Sequence, residues 1–188
     1  MIAIERLDDR PRLSAAVEEL AELLVRTVDG GASVGFLAPL DRDAATAWWR
    51  GRVDAVLTGE LAVWVARDGD GRLIGTVSLV FPDKPNSRHR AELVKLMVHP
   101  DGRGQGVGKA LLATAERAAV DVGVTLLHLD TETDSPAEYV YAKAGWTRIG
   151  AIPDYAADPY GSLRPTSIYY KRVGSAADGA VGAAAPAG

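Results

Sequence analysis

The chain has 188 residues, 47% of them hydrophobic and 24% charged, which suits one globular domain with a sizeable core. Its net charge of −4 argues against a nucleic-acid partner bound by phosphate neutralisation, and the absence of cysteine excludes disulfides, thiolate metal sites and a cysteine nucleophile. No apolar run approaches the roughly 20 residues of a membrane-spanning helix, and no signal-peptide pattern opens the chain. We therefore expect a soluble cytoplasmic protein with no membrane partner.

A short strand and a helix are predicted first. Residues 2–7 partly alternate between apolar and other side chains, as in a strand. After Ser14, a candidate N-cap, apolar residues recur at the spacing of one helix face, and Gly30 and Gly31 end the pattern. This helix therefore has one buried stripe.

A second helix is predicted to begin after Asp41 and to continue to Val56. It carries the adjacent pair Trp48 and Trp49, which we expect to pack against the core. Gly51 in its interior weakens it by about 1 kcal/mol relative to alanine.

The next segment has the pattern of a β-hairpin. Residues 61–66 and 73–81 are predicted strands, and the sequence Asp-Gly-Asp-Gly at 68–71 supplies the positive φ angles of a tight turn. A loop containing Pro82 and Pro85 separates this hairpin from the next apolar strand.

A strand, a glycine-rich turn and a helix follow as one unit. The strand ends at Val98, and Gly104, Gly106 and Gly108 lead into an amphipathic helix. The first amides of a helix lack intrahelical partners, and together with the helix dipole they attract a phosphate group. This unit therefore predicts an anion-binding site.

Two familiar nucleotide-binding motifs do not fit this turn. A P-loop requires Ser or Thr after Gly-Lys, but Ala110 follows Gly108-Lys109, and Arg103 stands at the place of the first glycine. The dinucleotide fingerprint requires a glycine where Lys109 stands. What remains is Arg103-x-x-Gly106-x-Gly108 after a strand that ends in Val-His-Pro.

The last part of the chain continues the alternation of strands and helices. Residues 124–129 are almost continuously apolar, which predicts a strand parallel to the preceding one, joined by a right-handed crossover. Ser135 caps a short helix over 136–144, and 146–152 and 167–171 are predicted closing strands with a loop between them. Residues 174–188 lack bulky apolar side chains except one valine and are expected to be a disordered tail.

The glycine turn resembles the pyrophosphate-binding motif of the GCN5-related N-acetyltransferase (GNAT) family. A second segment, Asp134-x-x-Ala137-x-x-x-Tyr141-x-x-x-Gly145-Trp146, is similar to the N-x-x-A-x-x-x-Y-x-x-x-G-F pattern of that family, with Asp in place of Asn and Trp in place of Phe. The predicted order of strands and helices also resembles that of the family.

This resemblance implies an α/β (α+β) fold, a single acyl-CoA N-acyltransferase domain over residues 1–173 with a mixed central sheet flanked by helices. It also implies acetyl-CoA as cosubstrate and no metal, and His89, His99 and His128 are too scattered along the chain for a metal set. The positions that match the coenzyme-binding residues of the family are Leu96, Met97, Val98, Arg103, Gly104, Gln105, Gly106, Val107, Gly108, Lys109, Asp134 and Tyr141.

Acetyl transfer to an amine needs a base and an acid, because an alkylammonium with a pKa near 10 is protonated at pH 7. Tyr141 matches the family's proton donor to the leaving thiolate; Tyr139 is the competing candidate, and the ring of Tyr141 could instead only pack. Glu92 resembles the strand glutamate that serves as base, and strand periodicity puts it on the same face as Leu96. Glu92 could instead be an ion-pair partner of a neighbouring basic residue.

The acceptor side is expected at the carboxyl end of the sheet. Asp130, Glu132 and Asp134 are expected to cluster where open sheets bind ligands; they could attract a cationic amine, or be solvated loop and capping carboxylates. Asp154 and Tyr155 could wall the acceptor pocket, or only pack in a loop. Trp48 and Trp49 could also line the acceptor cleft.

Several stretches resemble the GNAT subgroup that contains the tabtoxin-resistance acetyltransferase: 90–100, 129–133, 152–156 and 169–171. This implies a small amine as acceptor, such as an amino-acid-like toxin or antibiotic, in a monomer or homodimer. The alternatives are a protein or peptide acetyltransferase, acting on a lysine or an N-terminus, and a non-catalytic acyl-CoA-binding module.

Overall fold

The computed structural model describes residues 2–174. Within them, seven strands form one mixed sheet in the order β1-β2-β3-β4-β5-β7-β6. The strands are β1 (Ala3–Leu7), β2 (Leu61–Arg67), β3 (Leu73–Val80), β4 (Arg90–Val98), β5 (Leu126–Glu132), β6 (Thr147–Ala157) and β7 (Leu163–Arg172). The α-helices are α1 (Arg10–Asp29), α2 (Arg42–Arg50), α3 (Val53–Leu57), α4 (Val107–Asp121) and α5 (Pro136–Lys143). This architecture confirms the expected fold class.

The first helix begins one turn earlier than predicted. Its N-cap is Asp9, whose carboxylate accepts a hydrogen bond of 2.7 Å from the backbone N–H of Arg12, and not Ser14. Pro11 lies in the first turn, where a missing N–H costs nothing, so it does not stop the helix. The N-cap at Asp41 is confirmed, since its carboxylate accepts from two backbone amides of α2.

The predicted helix from 41 to 56 is divided in two. Gly51 ends α2 as its C-cap, and Arg52 separates it from the short helix α3. Because glycine has a low helix propensity, the break falls at the residue that stabilises the helix least.

The hairpin of β2 and β3 and the parallel pairing of β4 with β5 are confirmed. The last two strands are longer than predicted. The segment Pro153–Tyr155, expected in a loop, forms a bulge inside β6, because Ile152 pairs with Thr166 and Ala156 already pairs with Arg164. The predicted disordered tail lies outside the described residues, apart from Gly174.

Two apolar layers cover the two faces of the sheet. Helices α4 and α5 pack on one face, and α1, α2 and α3 pack on the other. Helix α4 approaches β3 so closely that a Cβ atom on Gly75 would lie 2.9 Å from Leu111 Cδ1 and 3.0 Å from Val107 Cγ1. The same atom would lie 3.0 Å from the carbonyl oxygen of Met97 on β4. None of the helices in the described part of the chain is long and apolar enough to cross a membrane.

Candidate functional site

A cleft opens where β4 and β5 separate. The two parallel strands are paired at only three positions, and the last pair joins Glu92 to His128. Beyond it, β4 continues to Val98 along β3, whereas β5 continues along β7. The backbone of the last part of β4 therefore lacks a neighbouring strand on the β5 side and can pair with an extended ligand.

A β-bulge at Lys95 reverses the faces of β4 within this cleft. Val94 is opposite Ser78 and Met97 is opposite Thr76, so two residues of β4 face one residue of β3. Lys95 itself has a φ of 54°, in the left-handed region. One extra residue shifts the side-chain alternation by one position for the rest of the strand.

This bulge contradicts the expected shared face of Glu92 and Leu96. Ala91 and Leu93 belong to the α4 face of the sheet, which places Glu92 and Val94 on the α2 face. After the bulge, Leu96 packs on the α4 face. The strand periodicity used for the prediction fails because a bulge cannot be read from it.

The glycine turn has the geometry of an anion site at a helix N-terminus. Gly106 is the N-cap of α4 with a φ of 79°, and Gly104 has a φ of 75°. Nothing lies within 4 Å of where a Cβ atom would stand on either residue, so the space in front of both is open. This turn can bring its backbone amides close to a pyrophosphate group.

A buried histidine that our site prediction did not include supports the turn from below. His99 lies at the end of β4, and its Nδ1 is 3.2 Å from the backbone N of Asp101, which donates to it. On its other side, Nε2 is 3.0 Å from a guanidinium nitrogen of Arg72. Burial and the charge of Arg72 lower the pKa of His99, although Asp101 opposes them. The side-chain amide of Gln105 donates a hydrogen bond of 2.6 Å to the backbone carbonyl of Asp101, which stabilises the turn itself.

The other predicted coenzyme residues divide by what their side chains do. The side chains of Met97 and Val107 are buried in the core, so only their backbone groups are available to a ligand. Gly108 faces Val98, which with Leu96 is half-buried. The side chains of Arg103 and Lys109 are exposed near the turn, and one guanidinium nitrogen of Arg103 approaches Gly30 at the end of α1.

Tyr141 lies in α5 with its ring in the core. It packs against Trp146 and Tyr169, with ring centroids 5.9 Å and 6.1 Å away. Its hydroxyl makes no hydrogen bond to any residue from 2 to 174 and is not among the polar atoms sealed from solvent. Burial, with the nearby charge of Asp130, raises the pKa of Tyr141 far above its ordinary value, so the phenol stays protonated. The competitor Tyr139 is exposed on the other side of α5.

The predicted acidic residues do not form one cluster. Asp130 is exposed on β5 beyond the last pair with β4, and its charge influences the pKa of Tyr141, Lys95 and His128. Glu132 instead forms an ion pair of 3.3 Å with Arg164.

Other predicted residues lie further out or at bulges. Asp134 is exposed with a φ of 63°, and its backbone N–H donates 2.7 Å to Glu138. Asp154 and Tyr155 are exposed in the bulge of β6. Residues 2–174 contain no group of three or more histidine and acidic side chains that could hold a metal ion.

Basic and aromatic side chains line the α2 side of the site, and apart from Trp48 we did not assign them to it. Lys95 Nζ lies 5.3 Å from the ring centroid of Trp48 and 5.8 Å from that of Phe36. Arg52, between α2 and α3, stacks over Trp48 at 3.8 Å. Burial and the charge of Arg52 lower the pKa of Lys95, against the opposing influence of Asp130 and Glu92. Only the expectation for Trp48 hinted at this wall, because these residues come from separate elements.

The chain is similar to a known protein family and to curated proteins. A family model described as Acetyltransferase (GNAT) family matches residues 18–146. N-acetyltransferase 8F1 of Rattus norvegicus is 36% identical over 89 residues, which are 46% of this chain and 40% of that protein. The chain thus spans less than half the length of this curated relative.

Solved structures share the whole fold at low sequence identity. A structure from Salmonella typhimurium that contains acetyl-CoA as its cofactor is 19% identical with a TM-score of 0.75, covering 96% of this chain and 99% of that chain. A structure assigned to a phosphinothricin N-acetyltransferase is 20% identical with a TM-score of 0.75, covering 93% and 100%. At these identities the likeness supports the fold alone.

Proposed function

Because the chain belongs to the acetyltransferase (GNAT) family, whose acetyl donor is acetyl-CoA, we propose that it transfers the acetyl group to a primary amine of a small molecule. The observation that carries this proposal is the cleft between β4 and β5, which leads directly to the open glycine turn before α4. The cleft can take an extended pantetheine arm, and the turn can take the pyrophosphate at its end.

The coenzyme is proposed to bind along the end of β4. The backbone of Leu96, Met97 and Val98 lies beside the gap and would pair with the amides of the pantetheine arm. The amides at Gly104 to Gly108 would hold the pyrophosphate, with charge-assisted contacts from Arg103 or Lys109. Asp134 lies just before α5, the helix that carries Tyr141, and would contact the pantetheine arm.

The reaction requires the acceptor nitrogen to attack the thioester carbonyl while its C–S bond breaks. Glu92 is the candidate base that removes a proton from the ammonium, directly or through water. Tyr141 is the candidate acid, since its protonated hydroxyl can donate to the departing thiolate. Glu92 faces the α2 side, on which Trp48 and Lys95 lie, so the acceptor is proposed to enter from that side.

A small acceptor is favoured over a peptide by how this side is enclosed. The loop that follows α1 passes beside Lys95 at Gly35. It then contacts the turn between β6 and β7, where the N–H of Ala38 donates a hydrogen bond of 2.7 Å to the carbonyl of Pro159. This contact bounds the acceptor side and leaves less room for a polypeptide. Asp130 would attract the cationic amine; the roles expected for Glu132, Asp154 and Tyr155 remain predictions.

We also propose that the acceptor is an amino-acid-like toxin or antibiotic and that its acetylation confers resistance. The protein is proposed to act in the cytoplasm as a monomer or homodimer. A resemblance to the tabtoxin-resistance subgroup in the sequence supports it, and one similar fold is that of a phosphinothricin N-acetyltransferase structure. A peptide or protein amine is the alternative acceptor.

A screen of acetyl-CoA consumption tests the proposal. Release of the coenzyme thiol is followed with a panel of small primary amines, amino acids and amino-acid analogues, in parallel with peptides that carry a free N-terminus or a lysine. We expect turnover with small amines and much slower turnover with peptides. Turnover with peptides alone would replace the small acceptor with a protein, and no turnover above hydrolysis would favour a binding module.

A further inference from the structure

A small cavity lies on the α2 side of the cleft. Its volume is ≈ 190 Å³, below the range of pockets that hold a drug-sized ligand, so it suits one end of a small acceptor. Trp48, Trp49, Arg52, Ser78 and Lys95 are among the residues that line it. The wall therefore combines aromatic rings with two cations.

In the described part of the chain, neither cation forms an ion pair. The ion pairs and side-chain hydrogen bonds within residues 2–174 include neither Arg52 nor Lys95. Both instead face the ring of Trp48, at 3.8 Å and 5.3 Å. Contact with a ring recovers only part of the free energy lost when a cation leaves water, and the two like charges repel each other. An anion between them would remove both costs.

Two buried polar atoms belong to residues that line the same cavity. Trp49 Nε1 and Ser78 Oγ are sealed from solvent and lack a hydrogen-bond partner among the described residues. Buried polar atoms in native structures nearly always have a partner, so an unpaired pair beside one cavity needs an explanation. A bound group with oxygen acceptors, or a water ordered by it, would supply one after a small adjustment of the lining side chains.

We propose that Arg52 and Lys95 bind a carboxylate of the acceptor, which makes the substrate an amino acid or an amino-acid analogue and not a simple amine. This inference rests on the acetyl transfer proposed above. Glu92, on the same strand as Lys95, and Asp130, on β5 across the gap, carry charges that influence the pKa of Lys95, and their carboxylates would hold the ammonium end. The charges of the site are thus arranged for a zwitterion.

The inference is tested by binding, without turnover. Tryptophan fluorescence, to which Trp48 and Trp49 contribute, is measured while the protein with coenzyme A is titrated with N-acetyl amino acids. The probes are N-acetylglycine, N-acetylalanine, N-acetylmethionine and N-acetylphenylalanine, each compared with its primary amide. We expect the acid of at least one pair to bind about 10- to 100-fold more tightly than its amide, as for loss of a charge-assisted hydrogen bond.

Variants identify the residues responsible. Arg52→Met and Lys95→Met should each abolish most of the preference for the acid, whereas Lys95→Arg, which keeps the charge, should retain it. Arg50→Met is the matched control, because Arg50 lies in the same helical region but pairs with Glu18 outside the cavity. Circular dichroism and the melting temperature establish that each variant is folded.

The inference would be overturned if acids and amides bound equally, or if no acid showed saturable binding. It would also be overturned if both methionine variants kept the preference for the acid. Thiol release measured on the same proteins separates it from the proposed function. Turnover of amines with no preference for a carboxylate would overturn the anion site alone. Tight binding of acids with no turnover of any amine would overturn the acetyl transfer alone.

Discussion

The ring of Tyr141 is buried, and its hydroxyl forms no hydrogen bond with any described residue. Because burial raises its pKa, the hydroxyl carries a proton at neutral pH and can give it to a thiolate. We predict that Tyr141→Phe lowers kcat by about 100-fold or more while the fold and coenzyme affinity are retained. Steady-state kinetics with the best amine from the screen measures this effect.

Tyr139→Phe is the matched control, since Tyr139 lies two residues away and is 68% exposed. It should leave kcat unchanged. Full kcat in Tyr141→Phe would show that the ring only packs and that the proton comes from elsewhere.

Glu92 stands at the last paired position before β4 and β5 separate. As base it matters most when the acceptor is an ammonium, because a rising pH supplies neutral amine without help. Glu92→Gln should therefore reduce kcat/KM about 10-fold or more near pH 7 and progressively less toward pH 9. Glu60→Gln, at an exposed position before β2, is the control. A pH profile parallel to that of the wild type would reject Glu92 as the base.

His99 links stability to pH. Its pKa is lowered in the folded protein from the ordinary 6.5, first by burial and then by Arg72. As the pH falls below the ordinary value, the unfolded chain takes up a proton that the folded chain resists, so the free energy of unfolding decreases. Urea unfolding between about pH 8 and pH 5.5 should show this loss, with a shallower slope in His99→Gln than in the wild type. His89→Gln, at an exposed histidine, should follow the wild type, and equal slopes in all three proteins would contradict the account.

At the scale of elements, the contact of α4 with β3 sets the distance between helix and sheet. A methyl group on Gly75 would meet side chains of α4 and the backbone carbonyl of Met97, which cannot move aside cheaply. Gly75→Ala should therefore destabilise the protein by about 1–3 kcal/mol. Gly150→Ala is the control, because nothing lies within 4 Å of a Cβ atom there and its φ is not positive. Equal denaturation midpoints for the two variants would refute this packing.

Strand β4 shows which features of an element are readable in the sequence. Its existence and its end at Val98 follow from an apolar run and from His-Pro. The bulge at Lys95 does not, because lysine is not a residue type that marks a positive φ. Its position is held by the register with β3 and by Trp48 and Phe36, all distant in sequence. The bulge in β6 was missed for a different reason: Pro153 and Asp154 favour a loop, so the predicted strand ended at Ile152.

At the scale of the molecule, local patterns predicted the order of strands and helices, the β2–β3 hairpin and the parallel pair. Coenzyme binding at the glycine turn stays a prediction, but the turn itself was predictable as well, since its residues follow one another before α4. The acceptor side was not. Arg52, Lys95 and Phe36 come from three separate segments, and their meeting depends on how the helices pack on the sheet.

Acetyl-CoA is proposed to bind with its pyrophosphate at the glycine turn. Isothermal titration of acetyl-CoA into the wild type, Gly106→Ala and Gly123→Ala tests it most directly. Both glycines have a similar positive φ, 79° and 83°, and both have open space beside them, but Gly123 follows the opposite end of α4. Alanine is strained at either position, so the two variants should lose similar stability.

The wild type should bind one equivalent of acetyl-CoA, Gly106→Ala should bind it about 10-fold or more weakly, and Gly123→Ala should bind it as the wild type does. Equal affinity in the two variants, or no binding by the wild type, would contradict it.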